Sequence, residues 1–371
     1  MMLSRPLVGR NIDLLRGVAA LFVLFLHARE IFWIGMRAFW LEGPGAISAS
    51  RIFGYASFPL VWGSIGVPVF FVLSGYCIHR GYAGDSKANF LFRDMALRFW
   101  FRRFVRIYPV LFAALIVTLI LDYLTLKLLP GYVRVGDLSI RDFFVNLLAL
   151  QGVVGGVFGS NGALWTLSIE IQFYIVYPFL LILIRAWGVR NVMFFVLMVN
   201  AISCIVLHES GVKVFASYWF SWYLGVLVAE GEVDKYAREM RVRLSGGVFL
   251  LVVGCILFFK LPFVAFQVWS LSFALFLGVI LVVKDWSGLT VTLLEGVGKL
   301  SYSLYITHLP LLVFLSAILF RGVRQENIGW VALAGLLAIG FSYVFYLFVE
   351  KPAIDWLSKK SRRQKYMIFG S

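Results

Sequence analysis

The sequence predicts an all-α fold, a polytopic bundle of about ten transmembrane helices with both termini cytoplasmic. Three observations predict it. Hydrophobic residues make up 61% of the 371 positions and charged residues only 14%, against about 45–50% and about 25% in an average soluble domain. Apolar runs of about twenty residues, enough to cross a hydrocarbon core of about 30 Å, recur along the whole chain. The basic residues, finally, fall mostly into alternate connections. Together these exclude an ordinary water-soluble enzyme, a disordered chain and a disulfide-stapled secreted domain.

The first run, 14–34, follows Arg5 and Arg10. His27 interrupts it and no convincing small-residue cleavage site follows, so it is read as a retained helix and not a signal peptide. The second, 58–78, carries Gly66 and Gly75. The third, 107–129, follows a basic, aromatic segment and opens on Tyr108-Pro109. Residues 142–158 are shorter and rich in glycine, which predicts a half-helix or interfacial segment. Further spans are expected at 162–187, 191–207, 214–230, 245–261, 263–283, 300–320 and 329–349. Residues 1–356 form one membrane domain in this reading, and 357–371 a basic cytoplasmic tail lying along the inner membrane surface.

The formal charge is +15. In a soluble protein such a charge suggests nucleic acid. Here 23 of the 34 basic residues fall on one side of the ten-span arrangement and 10 on the other. Lys and Arg mark the cytoplasmic side of a membrane protein, so the charge follows from topology and no nucleic-acid partner is expected. Cys77, Cys204 and Cys255 lie within or at the end of apolar runs and are read as free thiols. Four histidines are spread over the chain without HExxH or paired cysteines, so no metal site is expected. Neither a phosphate-binding Gly loop with Lys nor Gly-x-Ser-x-Gly is present.

Ionisable groups at membrane depth are costly and therefore candidate functional groups. Arg16 and His27 are eleven residues apart, which on a helix places them on one face about 16 Å apart along the axis. Arg16 suits an interfacial anchor or an anion ligand, and His27 a packing residue or an acid–base group. Arg98, Arg102 and Arg106 recur every fourth residue, with Arg103 beside them and Phe99, Trp100 and Phe104 interleaved. That pattern suits an amphipathic helix on anionic lipid or a cluster that grips phosphate oxygens. Glu170 lies about two turns inside the fourth helix, with Tyr174 at i+4 and Gln172 nearby. His308 lies about two turns into the ninth. Glu350 ends the tenth, where pairing with a cytoplasmic Arg is expected. Trp40, Trp62, Trp219, Trp222 and Trp269 suit sugar stacking, although interface belts and packing explain most tryptophans in such a chain.

Five stretches carry a family resemblance. They are Asn11-Ile-Asp-Leu-Leu-Arg16 through His27, Gly66-Val-Pro-Val-Phe-Phe-Val-Leu-Ser-Gly75-Tyr, and Arg103-Phe-Val-Arg106-Ile-Tyr-Pro109. Leu164-Trp-Thr-Leu-Ser-Ile-Glu170-Ile-Gln-Phe-Tyr174 and Leu300-Ser-Tyr-Ser-Leu-Tyr-Ile-Thr-His308-Leu-Pro310 complete the set. In order and spacing the chain resembles the acyltransferase-3 family of integral membrane acyltransferases, which includes bacterial O-acetyltransferases of surface glycans. It departs at Thr166, where Ser is usual, at Ile171, and at Thr307, where Trp is frequent.

The resemblance implies transfer of an acyl group, most often acetyl, from acyl-CoA to a sugar hydroxyl of a polysaccharide, glycolipid or oligosaccharide. The setting it implies is the bacterial cytoplasmic (inner) membrane, amid membrane lipid. Acetyl-CoA is then a donor substrate, and no tightly bound cofactor is expected. His27, Glu170 and His308 are the implied catalytic residues. Arg16, Arg103 and Arg106, with Arg98 and Arg102, would hold the CoA phosphates, and Trp165 and Tyr174 the sugar. Some relatives carry an added C-terminal esterase-like domain, and a stand-alone form is expected here. A transporter or flippase for lipid-linked glycans or organic anions is the alternative that the same charges allow.

Overall fold

The computed structural model describes residues 5–36, 48–83, 92–208, 210–231, 233–283 and 287–369. Among them no strand forms, and the only extended pairings are the isolated bridges Trp33–Gln325 and Gln151–Gly155. In chain order the helices are α1 (Arg5–Phe32), α2 (Ala49–Ala56), α3 (Gly66–His79), α4 (Phe92–Leu128), α5 (Ile140–Leu147), α6 (Leu164–Ser203) and α7 (Trp219–Glu230). They continue with α8 (Val233–Arg238), α9 (Met240–Leu257), α10 (Pro262–Val282), α11 (Leu289–Lys299), α12 (Ser301–Phe320), α13 (Gly329–Phe345) and α14 (Lys351–Phe369).

Eight helical stretches among the described residues are long and apolar enough to cross a membrane, where the sequence suggests ten. The difference has two physical sources. The expected spans 162–187 and 191–207 both lie in the stretch Leu164–Leu207, which is counted once, and the non-helical Gly188 (φ 78°, ψ 153°) divides it between them. Only glycine adopts such a left-handed conformation readily. The expected span 214–230 contains a 3₁₀ turn, Phe215–Tyr218, and then the 12 residues of α7, short of the roughly 20 that a full crossing needs. The glycine-rich stretch 142–158 does not span: α5 has 8 residues and an irregular hairpin follows it.

The chain divides into two compact units. One holds α1 to Glu30, residues 34–88 and Leu180–Ser301; the other holds Ile31–Trp33, residues 89–179 and Tyr302 onward. In the first unit α3 packs on α7 along two glycines. A Cβ on Gly75 would stand 2.0 Å from the Trp222 carbonyl oxygen, and one on Gly225 would stand 2.0 Å from that of Val72. Without a hydrophobic force between helices in lipid, such backbone approach supplies the packing energy. Val72, Leu73, Leu224, Phe273 and Leu277 fill the core around it. Outside the spanning stretches, α11 faces the start of α1. Glu295 accepts from Lys299 at 3.1 Å and from Arg10 at 3.0 Å. The Lys299 hydrogen bond, with Arg10 beside it, holds the Glu295 carboxyl below the usual carboxylate range.

In the second unit α4 runs beside α5 and α14, and a π-helical turn, Tyr346–Glu350, joins α13 to α14. Extra-wide turns of this kind often accompany functional sites. This one carries Glu350, which is 1% exposed. Its Oε2 accepts from the Ser303 hydroxyl at 2.6 Å and from the Ser303 N–H at 3.2 Å. The carboxylate thus satisfies an orphan donor in the first turn of α12, where the helix dipole favours negative charge.

Candidate active site

Three of the expected site residues meet in the second unit. On α4, Phe99 and Arg103 are one turn apart, as are Glu170 and Tyr174 on α6. The Arg103 guanidinium lies 5.4 Å from the centroid of Phe99 and 5.4 Å from that of Tyr174. The Tyr174 hydroxyl donates to Glu170, and the Trp100 indole donates to the Tyr174 carbonyl at 2.9 Å. From α12, Tyr302 donates to the Ile107 carbonyl at 3.4 Å. A guanidinium that rests its faces on rings keeps its in-plane N–H edges for oxygen acceptors.

The four arginines of α4 divide. Arg98 and Arg102 are exposed, whereas Arg103 and Arg106 are half-buried. The i, i+4, i+8 row is therefore not the face that turns inward. The inward pair is Arg103 with Arg106, set by the i, i+3 spacing. Trp165, half-buried, lies in the first turn of α6.

His308 is 1% exposed. Its Nδ1 lies 2.9 Å from the Tyr305 carbonyl and 3.1 Å from that of Leu304. A carbonyl only accepts, so Nδ1 carries the hydrogen and the neutral ring has its lone pair on Nε2. Two of the three departures in the motifs, Thr166 and Thr307, have hydrogen-bond partners. The Thr166 and Tyr305 hydroxyls are hydrogen-bonded at 2.8 Å. Thr307 donates to the Ser303 carbonyl at 2.7 Å and lies 2.9 Å from the Ser342 hydroxyl.

Arg16 and His27 belong to the first unit, on the unbroken helix α1. Arg16 makes an ion pair with Asp13 at 3.6 Å and donates to Cys77 Sγ at 3.6 Å. His27 Nδ1 lies 3.4 Å from Glu30 Oε2. Sequence reasoning missed Glu30, although its i+3 spacing from His27 was in view. It also missed His79, which is 0% exposed with Nε2 2.6 Å from Glu230 Oε1. A third omission is Asp122, buried in the middle of an apolar run. Both of the latter have partners far along the chain, which no local pattern announces.

Of the five tryptophans, Trp219, Trp222 and Trp269 are buried, and Trp62 donates to the Cys255 carbonyl at 3.0 Å. These contacts are packing contacts. Trp40 lies outside the described residues. Among the described residues no group of three or more His, Cys, Asp or Glu is arranged to hold a metal ion.

An acyltransferase domain family matches residues 10–347. Nodulation protein 10 of Rhizobium leguminosarum bv. viciae is 31% identical over 186 residues, 48% of this chain and 45% of the relative. The peptidoglycan O-acetyltransferase OatA of Listeria monocytogenes is 32% identical over 136 residues, 35% of this chain and 21% of that protein. The putative membrane-bound transacylase BcsY of Komagataeibacter xylinus is 26% identical over 367 residues, 94% of this chain and 83% of its own. The chain thus spans less than half of the first two. No solved structure is a significant match.

Proposed function

Because the chain belongs to the acyltransferase family that it matches from residue 10 to 347, we propose that it acylates a sugar hydroxyl from cytoplasmic acyl-CoA. In this reading acetyl is the acyl group. The acceptor belongs to a surface polysaccharide, glycolipid or oligosaccharide, and the protein lies in the bacterial inner membrane with both termini cytoplasmic. The observation that carries the proposal is the inward pair Arg103 and Arg106 beside Glu170 and Tyr174. It joins anion-binding edges to a carboxylate–phenol pair at one end of α4.

The chemistry follows from the groups present. CoA is polyanionic, and Arg103 and Arg106 hold its phosphates, with the exposed Arg98 and Arg102 drawing it in; Arg16 is the phosphate ligand that the family motif adds. His27 takes the proton from the acceptor hydroxyl as that oxygen attacks the thioester carbonyl. The C–S bond then breaks, and His27 returns the proton to the departing CoA thiolate. Glu30, on the Nδ1 side of His27, fixes the tautomer that leaves Nε2 as base. His308, with its lone pair on Nε2, accepts from a sugar hydroxyl, and Glu170, Tyr174 and Trp165 hold the sugar.

Purified protein in detergent tests the reading. Given acetyl-CoA and peptidoglycan oligosaccharides, it should release free CoA thiol and yield an acetylated glycan. A protein that releases none with any glycan acceptor, but moves a lipid-linked glycan across vesicles, is a transporter. Arg103→Ala should raise the KM for acetyl-CoA about tenfold or more, by loss of a charge-assisted contact of roughly 1.5–3 kcal/mol. Its acceptor KM should change far less. An unchanged acetyl-CoA KM removes Arg103 from the phosphate clamp.

A further inference from the structure

Asp122 lies on α4 sixteen residues beyond Arg106, about 24 Å along the helix. It is 0% exposed, and a carboxylate at such depth is costly unless it is fully bonded. Its Oδ2 accepts from the Ser160 N–H at 2.7 Å and its Oδ1 from the Ser160 hydroxyl at 2.6 Å. The fit leaves no room. Gly159 has a positive φ of 56°, and a Cβ there would stand 2.1 Å from Asp122 Oδ2. Next along, Asn161 donates to Thr118 Oγ1 at 3.0 Å and to the Ile306 carbonyl at 2.9 Å. Gly162 faces Leu309. The hairpin therefore lies against the turn of α12 that carries His308.

The other limb of the hairpin is tied to α6. Gln151 donates to the Leu164 carbonyl at 2.7 Å and accepts at its own carbonyl from Ser168 at 3.2 Å. Ser168 is two residues before Glu170. Separate hydrogen bonds from the two limbs of one hairpin thus reach the turn bearing His308 and the first turns of the helix bearing Glu170. Asn146 braces the hairpin too, donating to the Asp142 and Gly156 carbonyls at 2.8 and 3.0 Å. An apolar core would stabilise this end of the unit without a buried charge. A bonded carboxylate adds directional positioning of what rests on it.

We propose that Asp122, through Ser160 and Asn161, is a positioning residue for the sugar acceptor, holding the 148–163 hairpin as the acceptor-side wall of the site. The inference rests on the acyltransferase reading, in which the donor occupies the arginine end of α4. The acceptor, held along α6 by Tyr174, Glu170 and Trp165, then meets the hairpin beside Trp165, where Gln151 bonds Leu164 and Ser168.

The test uses the full-length protein in detergent, with Asp122→Asn and Ser160→Ala. The first change keeps the shape of the carboxylate but removes its charge and one acceptor oxygen. Both variants should lower kcat/KM for the oligosaccharide acceptor at least tenfold and leave the KM for acetyl-CoA within twofold. The double variant should fall no further than the single ones. Hydrogen exchange is read on the same samples. Amides of 148–166 should lose protection in Asp122→Asn, while those of 99–110 keep theirs. Unchanged protection in the hairpin overturns the pin, whatever the activity. Wild-type acceptor kinetics, or an equal fall for both substrates, overturns the positioning role. A wild-type protein with no transfer to any acceptor instead refutes the acyltransferase reading, and hydrogen exchange still decides the pin.

Discussion

His27→Ala should yield a folded membrane protein whose acyl transfer is slower by roughly 10²–10⁴-fold, the usual contribution of a positioned general base. The side chain is 28% exposed, so its removal opens no sealed core cavity. The loss should appear in kcat and in kcat/KM together, because the imidazole acts on a proton that moves in the transition state. Its unfolding midpoint in detergent should stay within a few degrees of wild type. A variant retaining more than half the wild-type kcat would end the role of His27 as base. A companion measurement separates direct transfer from an acyl-enzyme. Direct transfer releases no CoA until acceptor is added, whereas an acyl-imidazole route releases one equivalent per protein in its absence.

Gly225→Ala should prevent accumulation of the protein in the membrane almost as completely as Gly225→Val. The added Cβ itself would stand 2.0 Å from the Val72 oxygen and 2.5 Å from the Tyr76 nitrogen. Contact distances between such atoms are about 3.5 Å, so α3 and α7 must move apart by more than an ångström. The opposite contact, Gly75 on the Trp222 oxygen, opens with it. In lipid no hydrophobic gain offsets this loss of packing. Gly340→Ala is the control. It lies in α13 with nothing within 4 Å of an added Cβ, and in a helix interior Ala is favoured over Gly by about 1 kcal/mol. Fluorescence-detected chromatography of tagged variants reads both. Normal levels of a monodisperse Gly225→Ala protein would refute the contact.

The helices were largely legible in the sequence, because long apolar runs leave little choice of structure at membrane depth. Arg16 and His27 share α1, and Glu170 and Tyr174 are bonded across one turn; both relations depend only on helical spacing. What was not legible depends on distance along the chain. Asp122 meets Ser160 thirty-eight residues on, and Glu350 meets Ser303 from forty-seven residues away. A lone Asp in an apolar run gives no sign of such a partner. The arginine row misled for a different reason. Four basic residues on adjoining faces do not say which face turns inward, and aromatic neighbours on α4 and α6 decide it in favour of Arg103. Backbone detail sharpens the span boundaries: Gly188 divides Leu164–Leu207 in the gap between the expected spans 162–187 and 191–207, and the expected span 214–230 is built from a 3₁₀ turn and the short helix α7.

The π-helical turn Tyr346–Glu350 has a bearing on how this chain tolerates change in length. Such a turn holds one more residue than the α-helix around it, so it works as a phase shifter between α13 and α14. Removing a single residue there would let the two helices run on as one, with everything beyond rotated by about 100° and drawn back by about 1.5 Å. Glu350 would swing off the first turn of α12, and Trp356 would leave Phe101. Substitutions across α13 alter side chains one at a time. A one-residue deletion alters the angular phase of the whole C-terminal segment, so indels at this point should be far rarer among functional variants than point changes.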